Sequence, residues 1–129
     1  ADAMGVKATA LLGLKKPLEA LQSLEKAREL NPNFSIEYFS IEVIAHLMMK
    51  EWNKAKEIAT LALRRLPEHE PSLVMVIMAD VALGNMEEAL WNLEELLILN
   101  PDFNFQTWQF GEFKFLNEIA LQTAKKIYE

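Results

Sequence analysis

Three prolines set the frame of this chain. It reads ELNPNF at residues 29–34 and ILNPDF at residues 98–103, with a looser copy, RLPEHE, at residues 65–70. Pro32 and Pro67 are 35 residues apart, and Pro67 and Pro101 are 34 apart. Self-similarity at a period of this length is the mark of stacked repeats. Other positions keep the same two intervals: Ala20, Ala55 and Ala89; Leu24, Ala59 and Leu93; Ala27, Ala62 and Leu96. Leu30, Arg65 and Leu99 do so just ahead of each proline, and Leu11, His46 and Asp80 correspond more loosely.

Between the prolines the apolar spacing is helical. Leu21, Leu24, Ala27 and Leu30 recur every third residue, and Ala89, Leu93, Leu96 and Leu97 form a matching stripe. Each helix must stop before its proline, which lacks a donor and restrains the residue ahead of it; Asn31 and Asn100 suit that boundary. Weaker breaks at Lys15-Lys16-Pro17, Lys50-Glu51 and Gly84-Asn85 divide each unit into two helices. Ala20, Ala55 and Ala89 then sit where paired helices approach closely, so their task is packing. The reading is all-α: one domain over residues 1–129, with units of approximately 1–35, 36–69 and 70–103 and a degenerate terminal unit, 104–129. In that last unit FQTWQFGEFKF predicts an aromatic-rich helix with Phe105, Trp108, Phe110 and Phe113 facing a packing surface. A second helix follows, with Asn117 as N-cap and Ile119, Ala120, Ala124 and Ile127 on one stripe.

Composition narrows the function classes. A chain of 129 residues can bury a core without staples, and it has no cysteine for disulfide or thiolate chemistry. The net charge of −6, with no basic cluster longer than two residues, argues against nucleic acid. The apolar run from Leu73 to Leu83 is too short to span a bilayer, and no basic n-region precedes the apolar start. The expectation is a soluble, cytoplasmic protein without membrane insertion.

The units resemble tetratricopeptide repeats. The matching residues are Ala8, Leu11, Ala20, Leu24, Ala27, Leu30 and Pro32 in the first unit, and Phe39, Trp52, Ala55, Ala59, Ala62 and Pro67 in the second. In the third they are Leu73, Gly84, Met86, Ala89, Leu93, Leu96, Leu99 and Pro101. The chain departs from that pattern at Val43 and Ile77, where a small residue is usual, and at Lys15 and Met49-Lys50, where a glycine turn is usual. The resemblance implies a right-handed superhelical array of antiparallel helix pairs whose first helices line a concave face. It places Asp2, Gly5, Thr9 and Leu12, then Glu37, Ser40, Ile44 and Leu47, then Pro71, Val74, Met78 and Val81 on that face. Some tetratricopeptide domains hold a partner's terminal carboxylate in a cage of Lys, Arg and Asn. The corresponding positions here, Gly5, Thr9, Ser40, Ile44, Val74 and Met78, offer no cation.

The segment PSLVMVIMADVALG is apolar nearly all round, so both of its sides need cover. One side has its partner helix. The other is open to residues 104–129 folding back, to a second copy of the chain, or to a foreign peptide. An open concave face makes Ser40, Ile44, Leu47, Val74, Met78 and Val81 candidate partner contacts, and Trp91 and Trp108 join them as large aromatics on less apolar segments. On this reading Val74→Asp abolishes binding and spares the helices.

Catalytic chemistry is not legible. His46 and His69 are 23 residues apart and belong to no metal-ligand pattern, and no glycine-rich phosphate loop is present. Asp80, in an apolar helix, calls for a salt link or a polar surface. No catalytic, cofactor-binding or metal-binding residue is assigned. The expected function is a non-enzymatic module that binds a protein or peptide through its concave face. The alternatives are a self-associating structural domain and a regulatory domain that senses a small apolar ligand.

Overall fold

The computed structural model describes residues 3–33, 35–109 and 113–129. Asp2 and Phe110, named above, lie outside them. The described residues form α1 (Ala3–Gly13), α2 (Pro17–Leu30), α3 (Ile36–Met48), α4 (Trp52–Arg65), α5 (Glu70–Leu83), α6 (Met86–Leu99) and α7 (Lys114–Tyr128). Helices α1 and α2, α3 and α4, and α5 and α6 pack as antiparallel pairs, and the pairs stack through α2 on α3 and α4 on α5. The fold is the all-α array of helix pairs that the period predicts.

Two kinds of turn repeat with the sequence. Each of α2, α4 and α6 ends on a residue before proline, and these residues share one conformation: Asn31 at φ −146°, Leu66 at −142° and Asn100 at −141°. Their amides still close onto Ala27, Ala62 and Leu96. The extended preference of a residue before proline ends the helix at that point.

Within each pair the turn is a left-handed one. Lys15 (φ 60°), Lys50 (φ 58°) and Gly84 (φ 84°) occupy equivalent positions. The following amides reach back to the loosely matched trio: Lys16 to Leu11 (2.9 Å), Glu51 to His46 (2.9 Å) and Asn85 to Asp80 (2.8 Å). The left-handed residues bond Leu12, Leu47 and Val81 at 3.0–3.1 Å. This pair of bonds is a Schellman motif, formed three times, twice with lysine where glycine is favoured. His46 and Asp80 also meet the ends of their turns through side chains. His46 Nδ1 lies 2.7 Å from Glu51 Oε1, and Asn85 Nδ2 donates to Asp80 Oδ1 at 3.2 Å.

The periodic alanines lie inside. Ala20, Ala55, Ala59, Ala62 and Ala89 have no exposed surface, and Leu24, Leu93 and Leu96 are buried beside them. Val43 and Ile77 are also core residues, so the larger side chains at that contact are packed rather than exposed.

The terminal segment differs from its expectation. No aromatic-rich helix forms over the described part of 105–115: residues 105–107 make a turn within otherwise irregular chain, and α7 starts at Lys114 with Phe113, not Asn117, at its cap position. Asn104 explains the difference. Its Oδ1 accepts the Gln106 amide at 2.8 Å, an Asx turn that competes with a helix, and its carbonyl takes the Thr107 and Trp108 amides. Phe103 and Phe105, alternating rather than helically spaced, are both buried and meet edge to face at 4.8 Å. The Phe105 amide donates to Tyr128 Oη at 3.3 Å, tying the loop to the far end of α7.

Candidate binding surface

The first helices of successive pairs touch directly, α1 on α3 and α3 on α5, and no comparable contact joins α2 to α4 or α4 to α6. The array therefore curves with α1, α3 and α5 on its inner side. Helix α7 packs on α5 and α3, so it lies along this inner face. Of the three covers open to the apolar segment, the structure contains the first: the chain's own C-terminal segment.

This cover changes the status of the predicted contacts. Ser40, Ile44, Leu47, Val74, Met78 and Val81 are all buried, and Val74 and Met78 have 0% exposure. The expectation that they form an open surface is corrected. The fold does bring them together, but inside the protein. Met78 and Val81 share a small crevice with Trp52 and with Ile119, Gln122 and Thr123 of α7. For Met78 and Val81 that cover is α7, whose buried residues Leu116, Ala120, Thr123 and Ala124 recur on one side of the helix. The small Ala120 and Ala124 let it approach α3 and α5 closely. Trp108 is half-buried against the core. Trp91, 66% exposed, stands apart on α6.

The stretch of the inner face that remains open lies between α1 and α3. It is a cleft of 590 Å³ lined by Gly5, Val6, Thr9, Ala10, Ser35, Glu37, Tyr38 and Ile41. Gly5, Thr9 and Glu37 were placed on the inner face by the resemblance. Val6, Ala10 and Ile41 were not singled out, although each lies one or three residues from a named position. Small residues form the α1 wall, so a ligand backbone can come close. Thr9 Oγ1 donates to the Gly5 carbonyl at 3.0 Å, which commits the hydroxyl proton to the helix's own backbone. Among the described residues of the lining, Glu37 is the only charged one.

Two buried acids lie at the junctions between pairs. At the first, Arg28 of α2 pairs with Glu42 of α3, and both Arg28 and Arg65 stand over the Phe39 ring, at 5.9 and 5.7 Å. Burial pushes the Glu42 carboxyl above its usual value, with Arg28 opposing. At the second, Lys56 of α4 reaches Asp80 of α5 at 2.8 Å and Glu88 of α6 at 2.6 Å. Asp80 is 0% exposed. Its hydrogen bond, followed by that of Glu88, holds the Lys56 ammonium above the ordinary lysine value. Asp80 is thus the salt link its sequence context called for. His69 Nδ1 lies 2.7 Å from Ser72 Oγ at the start of α5, and burial lowers its pKa.

Among the described residues no group of three or more His, Cys, Asp or Glu could hold a metal ion. No helix among them is long and apolar enough to cross a membrane.

No protein-family profile matches the chain, and no curated protein matches it in sequence. The fold does match solved structures. One is the NMR structure of the second TPR domain of the human RPAP3 protein, in complex with the HSP70 peptide SGPTIEEVD. The TM-score is 0.74 at 16% identity, over 98% of this chain and 93% of that one. With its proline-marked period, paired helices and inner face, the chain has a tetratricopeptide-like fold.

Proposed function

We propose that this protein is a non-enzymatic scaffold that binds a short segment of another protein in the inner cleft between α1 and α3. The observation that carries this reading is α7 itself. Its seat on α3 and α5 is a worked example of a chain segment held on the inner face, and among the described residues the cleft continues that face without a cover. The human RPAP3 domain, solved with a peptide, is a fold relative that supports a peptide-binding role.

The ligand chemistry differs from that example. SGPTIEEVD ends in acidic residues, whereas the described residues of the cleft include Glu37 and no Lys or Arg. The segment that suits it is apolar and uncharged or basic, with small residues where it crosses α1. Peptide selection from a displayed random library tests the reading, with SGPTIEEVD as the contrasting probe. Selected peptides are expected to be apolar, to shift the NMR signals of Val6, Thr9, Tyr38 and Ile41, and to lose binding to Thr9→Trp, which fills the cleft. SGPTIEEVD is expected not to bind. No enrichment, or enriched peptides that Thr9→Trp leaves unaffected, would sink the proposal.

A further inference from the structure

Repeat register identifies a second surface, on the outer end of the array. The cations that cross the two junctions are Arg28 on α2 and Lys56 on α4. Carried forward by the intervals of 35 and 34 residues, Arg28 corresponds to Leu63 and then Leu97, and Lys56 corresponds to Leu90. On α6, therefore, both positions that reach toward a following helix are leucine. Leu97 is 37% exposed and Leu90 is 46% exposed. Trp91 stands beside them, and a shallow cleft of 440 Å³ runs along Leu90, Trp91, Leu93 and Leu97 between Glu87 and Glu94. Helix α7 does not serve this face, since its packed side is committed to α5 and α3.

We infer that this face of α6 docks an amphipathic helix of a partner protein, apolar along its centre and flanked by Lys or Arg. The helical form follows from register: at both earlier junctions this face of the second helix carries an α-helix, α3 on α2 and α5 on α4. The apolar centre follows from Leu90 and Leu97, which give a buried acid no cation. The basic flanks follow from Glu87 and Glu94, on a chain of net charge −6. The same acids oppose a face-to-face pairing of two copies through α6, which would set like charges against one another.

The experiment titrates the full chain, labelled with nitrogen-15, with a synthetic leucine–lysine peptide whose leucines have helical spacing. A leucine–glutamate counterpart is run beside it. Saturable shifts are expected at Leu90, Glu94, Leu97 and the Trp91 indole, with the glutamate peptide silent. Leu97→Asp is expected to weaken binding by about tenfold or more, from the loss of one buried leucine contact. Trp91→Ala provides a second variant at a still more exposed site should Leu97→Asp unfold. Shifts scattered over all acidic surfaces would overturn the inference, as would binding that neither variant weakens. So would a dimer by light scattering in which the α6 amides are protected without peptide, because the face would then belong to a second copy. Failure here leaves the α1–α3 cleft untouched, as that site shares no residue with α6.

Discussion

Asp80 is cut off from solvent, and Lys56 is what makes that tolerable. The carboxylate takes bonds from Lys56 and Asn85 through Oδ1, while Oδ2 is buried without one. Replacing Lys56 by Met leaves a buried charge without its cation, a loss of about 3–5 kcal/mol by analogy with other broken buried pairs. Adding Asp80→Asn is expected to restore most of that stability, because the charge goes with its partner. Urea unfolding of the single and double variants at pH 7 measures both, and a Lys56→Met change below about 1 kcal/mol would show that the pair matters little. The pH dependence has a definite sign. Because the folded state raises the Lys56 pKa, the pair contributes fully below the ordinary lysine value of 10.5 and its contribution is lost as pH rises through the higher folded value. Val74 gives a second test at this scale. Sequence reasoning put it on a surface where aspartate would spare the helices; its burial reverses the expectation. Val74→Asp places an unpaired carboxylate in the core, and loss of helical circular dichroism at room temperature is the expected result. A folded Val74→Asp variant with an unchanged melting midpoint would contradict the buried position.

Elements were legible wherever the repeat wrote them in residue types with a backbone consequence. Pro32, Pro67 and Pro101 fix where α2, α4 and α6 end, because proline restrains the residue ahead of it. Ala20, Ala55 and Ala89 mark the close helix pairs by size. The left-handed turns were only half legible. Gly84 announces its conformation, but Lys15 and Lys50 adopt it against their own preference, and only their place in the period shows that they must. This predicts opposite responses at equivalent positions. Lys15→Gly and Lys50→Gly are expected to stabilise by about 0.5–1 kcal/mol each, as relief of left-handed strain outweighs the extra freedom of the unfolded chain. Gly84→Ala is expected to destabilise by about 1–2 kcal/mol. That cost is backbone strain alone, since a Cβ at Gly84 meets nothing within 4 Å. Chemical denaturation of the three variants decides the matter, and a destabilising Lys50→Gly would mean that the lysine side chain secures the turn. The loop after Pro101 departs from its helical expectation for a related reason: the local bonds of Asn104 outweigh the helical spacing of its aromatics.

At the scale of the molecule, the stripe on α7 showed that one side of the helix is buried, but not against what. Amphipathic spacing defines a face and leaves its neighbour open, and α3, α5 and α6 all present apolar surface. The Phe105–Tyr128 bond and the small residues Ala120 and Ala124 settle the choice in favour of the inner face. In a stacked-repeat chain each pair is supported chiefly by its neighbours, so a helix laid across the pairs can detach without dissolving them. Ala120→Glu tests this. It sets a charge where α7 meets α3 and α5 and leaves the junctions α2–α3 and α4–α5 intact. The amides of α7 are expected to exchange rapidly, while those of α3, α4 and α5 stay protected. A hydrophobic dye should bind as Met78 and Val81 lose their cover, each forgoing about 1.5–3 kcal/mol of burial. Peptides selected against the wild-type cleft should then be joined by new ones that shift Ile44 and Met78, because the inner face becomes continuous. Should Ala120→Glu instead unfold all helices in one transition, α7 is part of a single cooperative core, and the inner face has no existence apart from it.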